Sequence, residues 1–339
     1  MSLQNRYEFL FYVECIDGNP NGDPDMGNAP RMDPQDMHGF ITDVALKRRV
    51  RNYVQTAYSD KPGMQIIVRN ATNINKFIAL ANEKSNCSVE EKKNEKSKVR
   101  VEAARAWACS NFYDVRTFGA VLSTGKNAGQ VRGPVQFTFA RSVDAILPLD
   151  ITITRMQVAD KAGNANTVEE FQKWEDESDE SKLRTMGRKQ LIPYGLYEAR
   201  GFVSANLAEE TGFSENDLAI LFEAIMNMYE HDRSASKGQM SVISPMIIFK
   251  HIGTDSNEIQ RIRQAKLGCA PAHKLFDLVN VRKKQGVEFP RSYKDYCATI
   301  DLVKLPSGVD VGFIGSANEA ISWNHISDSC SWICGDVNE

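Results

Sequence analysis

The hydrophobic period of this chain switches from two to about 3.6 and back several times, without settling into a regular alternation of strand and helix. Residues 7–16 set Tyr7, Phe9, Phe11, Val13 and Cys15 against Glu8, Leu10, Tyr12, Glu14 and Ile16, which is the period of a strand. A turn-rich loop follows from Asp17 to about Gly39. Thr42 or Asp43 then caps a helix whose apolar stripe is Leu46, Val50, Tyr53, Val54 and Ala57. Another helical stretch is expected around Val101 to Ser110. Strand period returns at Val135, Phe137 and Phe139, at Ile151 and Ile153, and at 194–206. Ser214 caps a second amphipathic helix through Leu218, Leu221, Phe222, Ile225 and Tyr229. Strands are expected at 242–250, 298–305 and 309–314, around a basic helical region at 261–284. This order predicts an α+β fold with a strand-helix-strand-strand-helix-strand core rather than a doubly wound parallel sheet.

Two stretches fit the core poorly. Residues 82–98 are polar and mixed in charge, so a surface insertion is expected there. Residues 169–180 hold seven acids against Lys173 alone, and the segment from about 159 to 189 is expected to project from the core. With 339 residues, core burial is not limiting, and a single domain carrying insertions accounts for the pattern. No apolar run approaches the roughly 18 residues of a membrane span. Residues 1–6 lead straight into strand-like sequence without the features of a signal peptide, so a cytoplasmic location is expected. Seven scattered cysteines are expected to be reduced thiols. Cys330 and Cys334 with His325 lack the second ligand pair of a zinc site, and no metal or cofactor is expected.

The net charge of −3 hides a segregated distribution. Lys47, Arg48, Arg49 and Arg51 form a basic run, with Lys47, Arg48 and Arg51 together on the helix face beside and opposite its apolar stripe. For that run a solvated face and a phosphate-binding face are both open. Arg141 and Arg155 fall where strands run out, at a rim where each can meet an anion. Arg116-Thr117-Phe118-Gly119, the stretch ending in Lys126-Asn127, and Gln130-Val131-Arg132-Gly133 combine arginine forks with glycine, which suits a nucleic-acid backbone. Catalytic readings are weaker. The Asp17 loop has Asn28 where a calcium loop needs glutamate, and Gly119 to Lys126 has the wrong spacing for a phosphate loop of an NTPase. The five histidines are dispersed and assign no nucleophile or base.

Six segments together carry a resemblance: 17–25 (DGNPNGDPD), 28–31 (NAPR), 42–53 (TDVALKRRVRNY), 114–121 (DVRTFGAV), 129–137 (GQVRGPVQF) and 230–234 (EHDRS). They resemble the RNA-binding backbone subunit of the type I-C CRISPR Cascade complex, in the RAMP superfamily. The resemblance implies an RRM-like (ferredoxin-like) palm with finger and thumb insertions, the thumb at about 156–193. It adds Asn19, Asn21 and Arg31 to the expected RNA contacts. It further implies a non-catalytic subunit whose copies stack along the crRNA spacer beside other Cascade subunits. Target DNA is then read through the guide and cut by a recruited helicase-nuclease, with no membrane involved. The enzyme alternative is a metal-dependent RNA endonuclease of the type III backbone kind, for which Asp33 and Asp36 supply the loop aspartate.

Overall fold

β1 (Tyr7–Gly18) is buried on both faces over nearly its whole length, although its sequence alternates. It runs through the centre of the main sheet, so both sets of side chains meet a core. Glu8, 0% exposed, is tolerated there because Arg6 and His251 Nε2 hold its carboxylate, the latter at 2.7 Å. The computed structural model describes residues 3–85, 93–159, 162–316 and 319–324. Cys87, His325, Cys330 and Cys334, and with the last three the zinc reading, lie outside the described residues. So do 86–92 of the polar stretch at 82–98, the rest of which overlaps the end of one helix and the start of the next.

After β1 the loop carries two minimal strands, β2 (Gly22–Asp23) and β3 (Ala29–Pro30), and returns as β4 (His38–Ile41). Thr42 Oγ1 accepts from Ala45 N at 3.2 Å and starts α1 (Asp43–Ala57). A Thr-to-Ala change at such a cap costs about 1 kcal/mol. α1 buries Leu46, Val50 and Val54 completely, about 1.5–3 kcal/mol apiece. A lateral subdomain follows, made of α2 (Ile74–Lys84), α3 (Lys93–Asn111) and α4 (Tyr113–Phe118) around Phe77, Ile78, Ala108 and Phe112. The hairpin β5 (Gly119–Val121) and β6 (Gln130–Arg132) leads to two short strands, β7 (Val135–Phe137) and β8 (Ala140–Ala145).

β9 (Leu149–Arg155) then leaves the body, α5 (Val168–Asp176) sits beyond it, and β10 (Thr185–Val203) returns. Residues 185–191 of β10 pair with β9 in an exposed ribbon, whereas 192–203 pair with β1 inside the core. The chain continues through α6 (Ala205–Thr211), α7 (Glu215–Asn227) and β11 (Gln239–His251). α8 (Glu258–Leu267), α9 (Ala272–Phe276), the hairpin β12 (Val279–Lys283) and β13 (Tyr296–Ile300), β14 (Val309–Ile314) and β15 (Ser322–Trp323) complete it.

The result is an α+β fold on a nine-stranded sheet in the order β15-β14-β11-β1-β10-β8-β4, with β7 and β9 also pairing to β10, all antiparallel. α1 and α7 cover one face, packing on Phe9, Phe11 and Val13. α9 and the β12–β13 hairpin cover the other, over Leu10, Tyr12 and Phe249. Among the described residues no helix is long and apolar enough to cross a membrane.

Several boundaries differ from the sequence reading. The basic region at 261–284 is not all helix: alternation at Val279 and Val281 makes its last part a strand, because Val279 buries against the sheet. The strand expected at 298–305 ends at Ile300, and Leu302–Lys304 is a single 3-10 turn capped by Asp301. β10 begins at Thr185 rather than 194, since residues 185–190 gain ladder hydrogen bonds without burying any apolar face. Phe139 lies between two strands and is 55% exposed. Cys297 is disulfide-bonded, which corrects the expectation of seven reduced thiols; spacing along a chain does not reveal which sulfurs approach in space.

Candidate nucleic-acid interface

Segments far apart in the sequence meet at the carboxyl end of β1. Asn19 N donates to Ser236 O at 2.7 Å, and Asn19 Nδ2 to Asn28 O at 2.6 Å. Asn19 is 2% exposed and fastens the loop rather than facing solvent. Asn21 Oδ1 accepts from Thr42 N at 2.9 Å, which ties the loop to the first turn of α1. Arg31 pairs with Asp23 at 3.0 Å and its amide donates to Asn21 O at 3.1 Å. These three residues are brought together beside α1, as scaffolding for it.

The cations of α1 divide sharply. Lys47 Nζ lies 3.1 Å from Asp43 and 3.0 Å from Gln136 Oε1, and 5.8 Å from the Phe118 ring centroid. Arg51 Nε lies 3.0 Å from Asp114 and its guanidinium stacks 5.1 Å from the same ring. Asp114 is 1% exposed; burial pushes its carboxyl above the ordinary range, with Arg51 and the amides of Ile67 and Val68 pulling the other way. Arg49 is spent on Asp232 and on the face of Tyr229. Arg48 is half-buried and has no hydrogen-bond or ion-pair partner among the described residues.

Arg116, Thr117 and Phe118 are interior. Arg116 is 7% exposed and holds Asp217 at 2.7 Å and Gly63 O at 2.5 Å, so its fork is occupied by the protein itself. Thr117 is fully buried and Phe118 nearly so. The glycines serve packing. A Cβ on Gly133 would stand 2.2 Å from the Phe118 carbonyl carbon, and Gly119 has φ +80 with Val131 O 2.4 Å from its would-be Cβ. That crossing suspends the β5–β6 hairpin, which presents Gln130 and Arg132 to solvent.

Lys126 stands apart, exposed and 3.3 Å from Glu83 at the end of α2. Arg141 is the second residue of β8 rather than the end of a longer strand, because 135–137 and 140–145 pair separately with β10. It is exposed, clasped by Asp33 at 3.3 Å and by Asp36 more closely, and it stacks on Phe40. Asp33 Oδ1 also accepts from Gln35 N and Asp36 Oδ1 from His38 N, each at 3.0 Å. The His38 amide, and with it Arg141, holds Asp36 below the usual carboxylate range. Arg155 is exposed at the outer end of β9. Gln136, which positions Lys47, and the exposed Phe139 escaped the sequence reading. Phe139 keeps the period-two spacing of Val135 and Phe137, so the alternation itself gives no sign that it is exposed.

Arg48 and Arg132 are thus two guanidinia without a partner among the described residues, Lys47 is an ammonium tethered by Gln136, and Phe139 is an exposed aromatic ring. Such a set can grip phosphates and stack a base.

Residues 5–302 match the family model of CRISPR-associated protein Cas7. A curated CRISPR-associated protein Cas7 of Haloferax volcanii is 26% identical over 234 residues, 64% of this chain and 62% of that protein. The chain thus spans less than two thirds of that relative. A chain of a solved "CRISPR RNA-guided surveillance complex, pre-nicking" is similar at TM-score 0.44 and 13% identity, over 79% of this chain and 83% of that one. A chain of a "CRISPR RNA-guided surveillance complex" gives TM-score 0.38 and 14% identity, over 79% and 80%.

Proposed function

Because this chain belongs to the Cas7 family of CRISPR-associated proteins, we propose that it is a non-catalytic backbone subunit that holds a CRISPR guide RNA by its phosphates and repeats along it in several copies. The observation that carries the reading is Arg48, a guanidinium without a partner among the described residues on a helix whose other three cations are engaged. A phosphate would supply the missing acceptor.

The strand order β11-β1-β10-β8, with α1 between β1 and β8 and α7 between β10 and β11, has the connectivity of a split βαβ unit and supports an RRM-like palm. The β9–β10 ribbon with α5 is its thumb, and the β5–β6 hairpin with α2 and α3 its finger. In this reading the complex is a type I-C Cascade working in the cytoplasm with other Cascade subunits. Target DNA is read by base pairing to the guide, and a separate helicase-nuclease is recruited to cut it.

Arg48→Gln is the direct test. It should weaken binding of single-stranded RNA across all sequences and lower the slope of log affinity against log salt by about 0.7, one phosphate contact. Anisotropy titrations at several salt concentrations read this; an unchanged slope would return Arg48 to the solvated face. Asp33→Ala and Asp36→Ala are expected to leave labelled RNA equally intact with magnesium or manganese present, since both carboxylates are committed to turn amides and Arg141. Defined cleavage products in the wild type that vanish in either variant would instead identify a nuclease.

A further inference from the structure

The loop from His231 to Gly238, which receives the Asn19 amide at Ser236 and Arg49 at Asp232, is held by several further hydrogen bonds. Arg49 Nη1 donates to Asp232 O at 2.8 Å, Arg233 Nη1 to Gly238 O at 2.7 Å and the Lys237 amide to Ser234 O at 2.9 Å. From outside the loop, Asn19 N reaches Ser236 O at 2.7 Å, and Lys189 Nζ at the foot of the β9–β10 ribbon reaches Ala235 O at 2.6 Å. The loop is thereby fixed to three different parts of the fold. Its serine hydroxyls, Ser234 Oγ and Ser236 Oγ, lie 3.4 Å apart.

Lys237 is the anomaly. Its side chain is half-buried and has neither a hydrogen-bond nor an ion-pair partner among the described residues. The nearby acid, Asp232, is already held by Arg49 and by Asn52 Nδ2 at 2.7 Å. An ammonium taken partly out of water without an acceptor destabilises a fold. Burial first, then Arg49, pulls Lys237 below the ordinary lysine range, with Cys15 and Asp232 opposing. A cation kept in that condition fits an acceptor supplied from outside.

We propose that Lys237, with the hydroxyls of Ser234 and Ser236, forms a phosphate subsite that grips one phosphodiester of the bound single-stranded RNA at the foot of the ribbon. The inference rests on the RNA-binding reading and deepens it. The loop is joined to Asn19 and Arg49, so it lies beside the turn after β1 and beside the helix that carries Arg48. The bound phosphate completes the ammonium and receives the two hydroxyl donors.

The experiment uses the full-length protein and a labelled single-stranded RNA of mixed sequence, titrated over a range of salt concentrations, with thermal melts of each variant. Lys237→Met is expected to bind about tenfold more weakly, the scale of one charge-assisted hydrogen bond, and to lose about 0.7 of the salt slope. Its melting temperature should be equal to or higher than wild type, because the uncompensated cation is gone. Lys237→Arg should restore most of the affinity and the slope, and Ser234→Ala with Ser236→Ala should weaken binding without touching the lysine. If Lys237→Met keeps the full slope while Arg48→Gln loses its share, the RNA reading stands and the subsite is wrong. A lysine variant that melts early and is not rescued by arginine marks a structural lysine and also overturns the subsite. Absence of salt-dependent RNA binding in the wild type overturns both.

Discussion

Replacing Arg116 with alanine should cost about 3–5 kcal/mol of folding free energy, the penalty for leaving a buried charge without its partner. Asp217, 5% exposed, would lose the guanidinium at 2.7 Å that balances it. The same carboxylate caps α7 by accepting from Ser214 N and Oγ at 2.9 and 2.8 Å, so damage spreads to the helix start. Gly63 O would lose its donor too, and the stack of Arg116 on Tyr113 at 5.1 Å would go. Urea unfolding reads the effect as a shift in midpoint at constant slope. Arg48→Gln, on the surface, should stay within roughly 0.5 kcal/mol of wild type. Equal stability of the two variants would contradict the buried pair.

The second large effect is on assembly. α5 is a well-formed helix, with a full capping box between Thr167 and Glu170, yet it buries nothing: Val168 is 84% and Phe171 39% exposed. An amphipathic helix with an uncovered apolar edge and seven surrounding acids is shaped for a basic, apolar surface. α8 and the neighbouring Ile252 offer one, with Ile252, Ile259 and Ile262 exposed beside Arg261, Arg263 and Lys266. The two surfaces differ, so pairing them between copies gives a heterologous contact that propagates along a strand instead of closing. Deleting residues 162–183 should leave a folded monomer and abolish multi-copy particles on RNA, as judged by sizing and electron microscopy. Particles of unaltered length would dismiss the contact.

What the sequence disclosed follows the range of the interactions. α1 and α7 were legible because their caps, Thr42 and Ser214, and their apolar stripes are local signals. The two-sided burial of β1 was not, because Glu8 looks solvent-facing until His251, 243 residues away, supplies its partner. The outer half of β10 was hidden for the opposite reason: its residues form ladder bonds without a buried face, so no hydrophobic period marks them. At the interface, the arginine-glycine pattern around 116–119 looked like a phosphate grip, but Asp217, 101 residues on, draws Arg116 inward. Composition could single out the basic run of α1, but only the positions of Asp43, Asp114 and Asp232 separate Arg48 from its neighbours.

β10 is one uninterrupted strand of 19 residues, roughly 60 Å at about 3.3 Å per residue. Its inner half is clamped by β1 and its outer half carries the ribbon, the partner changing between Leu191 and Ile192 within the same strand. A strand anchored this way acts as a cantilever: load applied at α5 is felt in the middle of the sheet rather than absorbed by a hinge. The reach of the ribbon beyond the core is therefore set by the length of the strand itself.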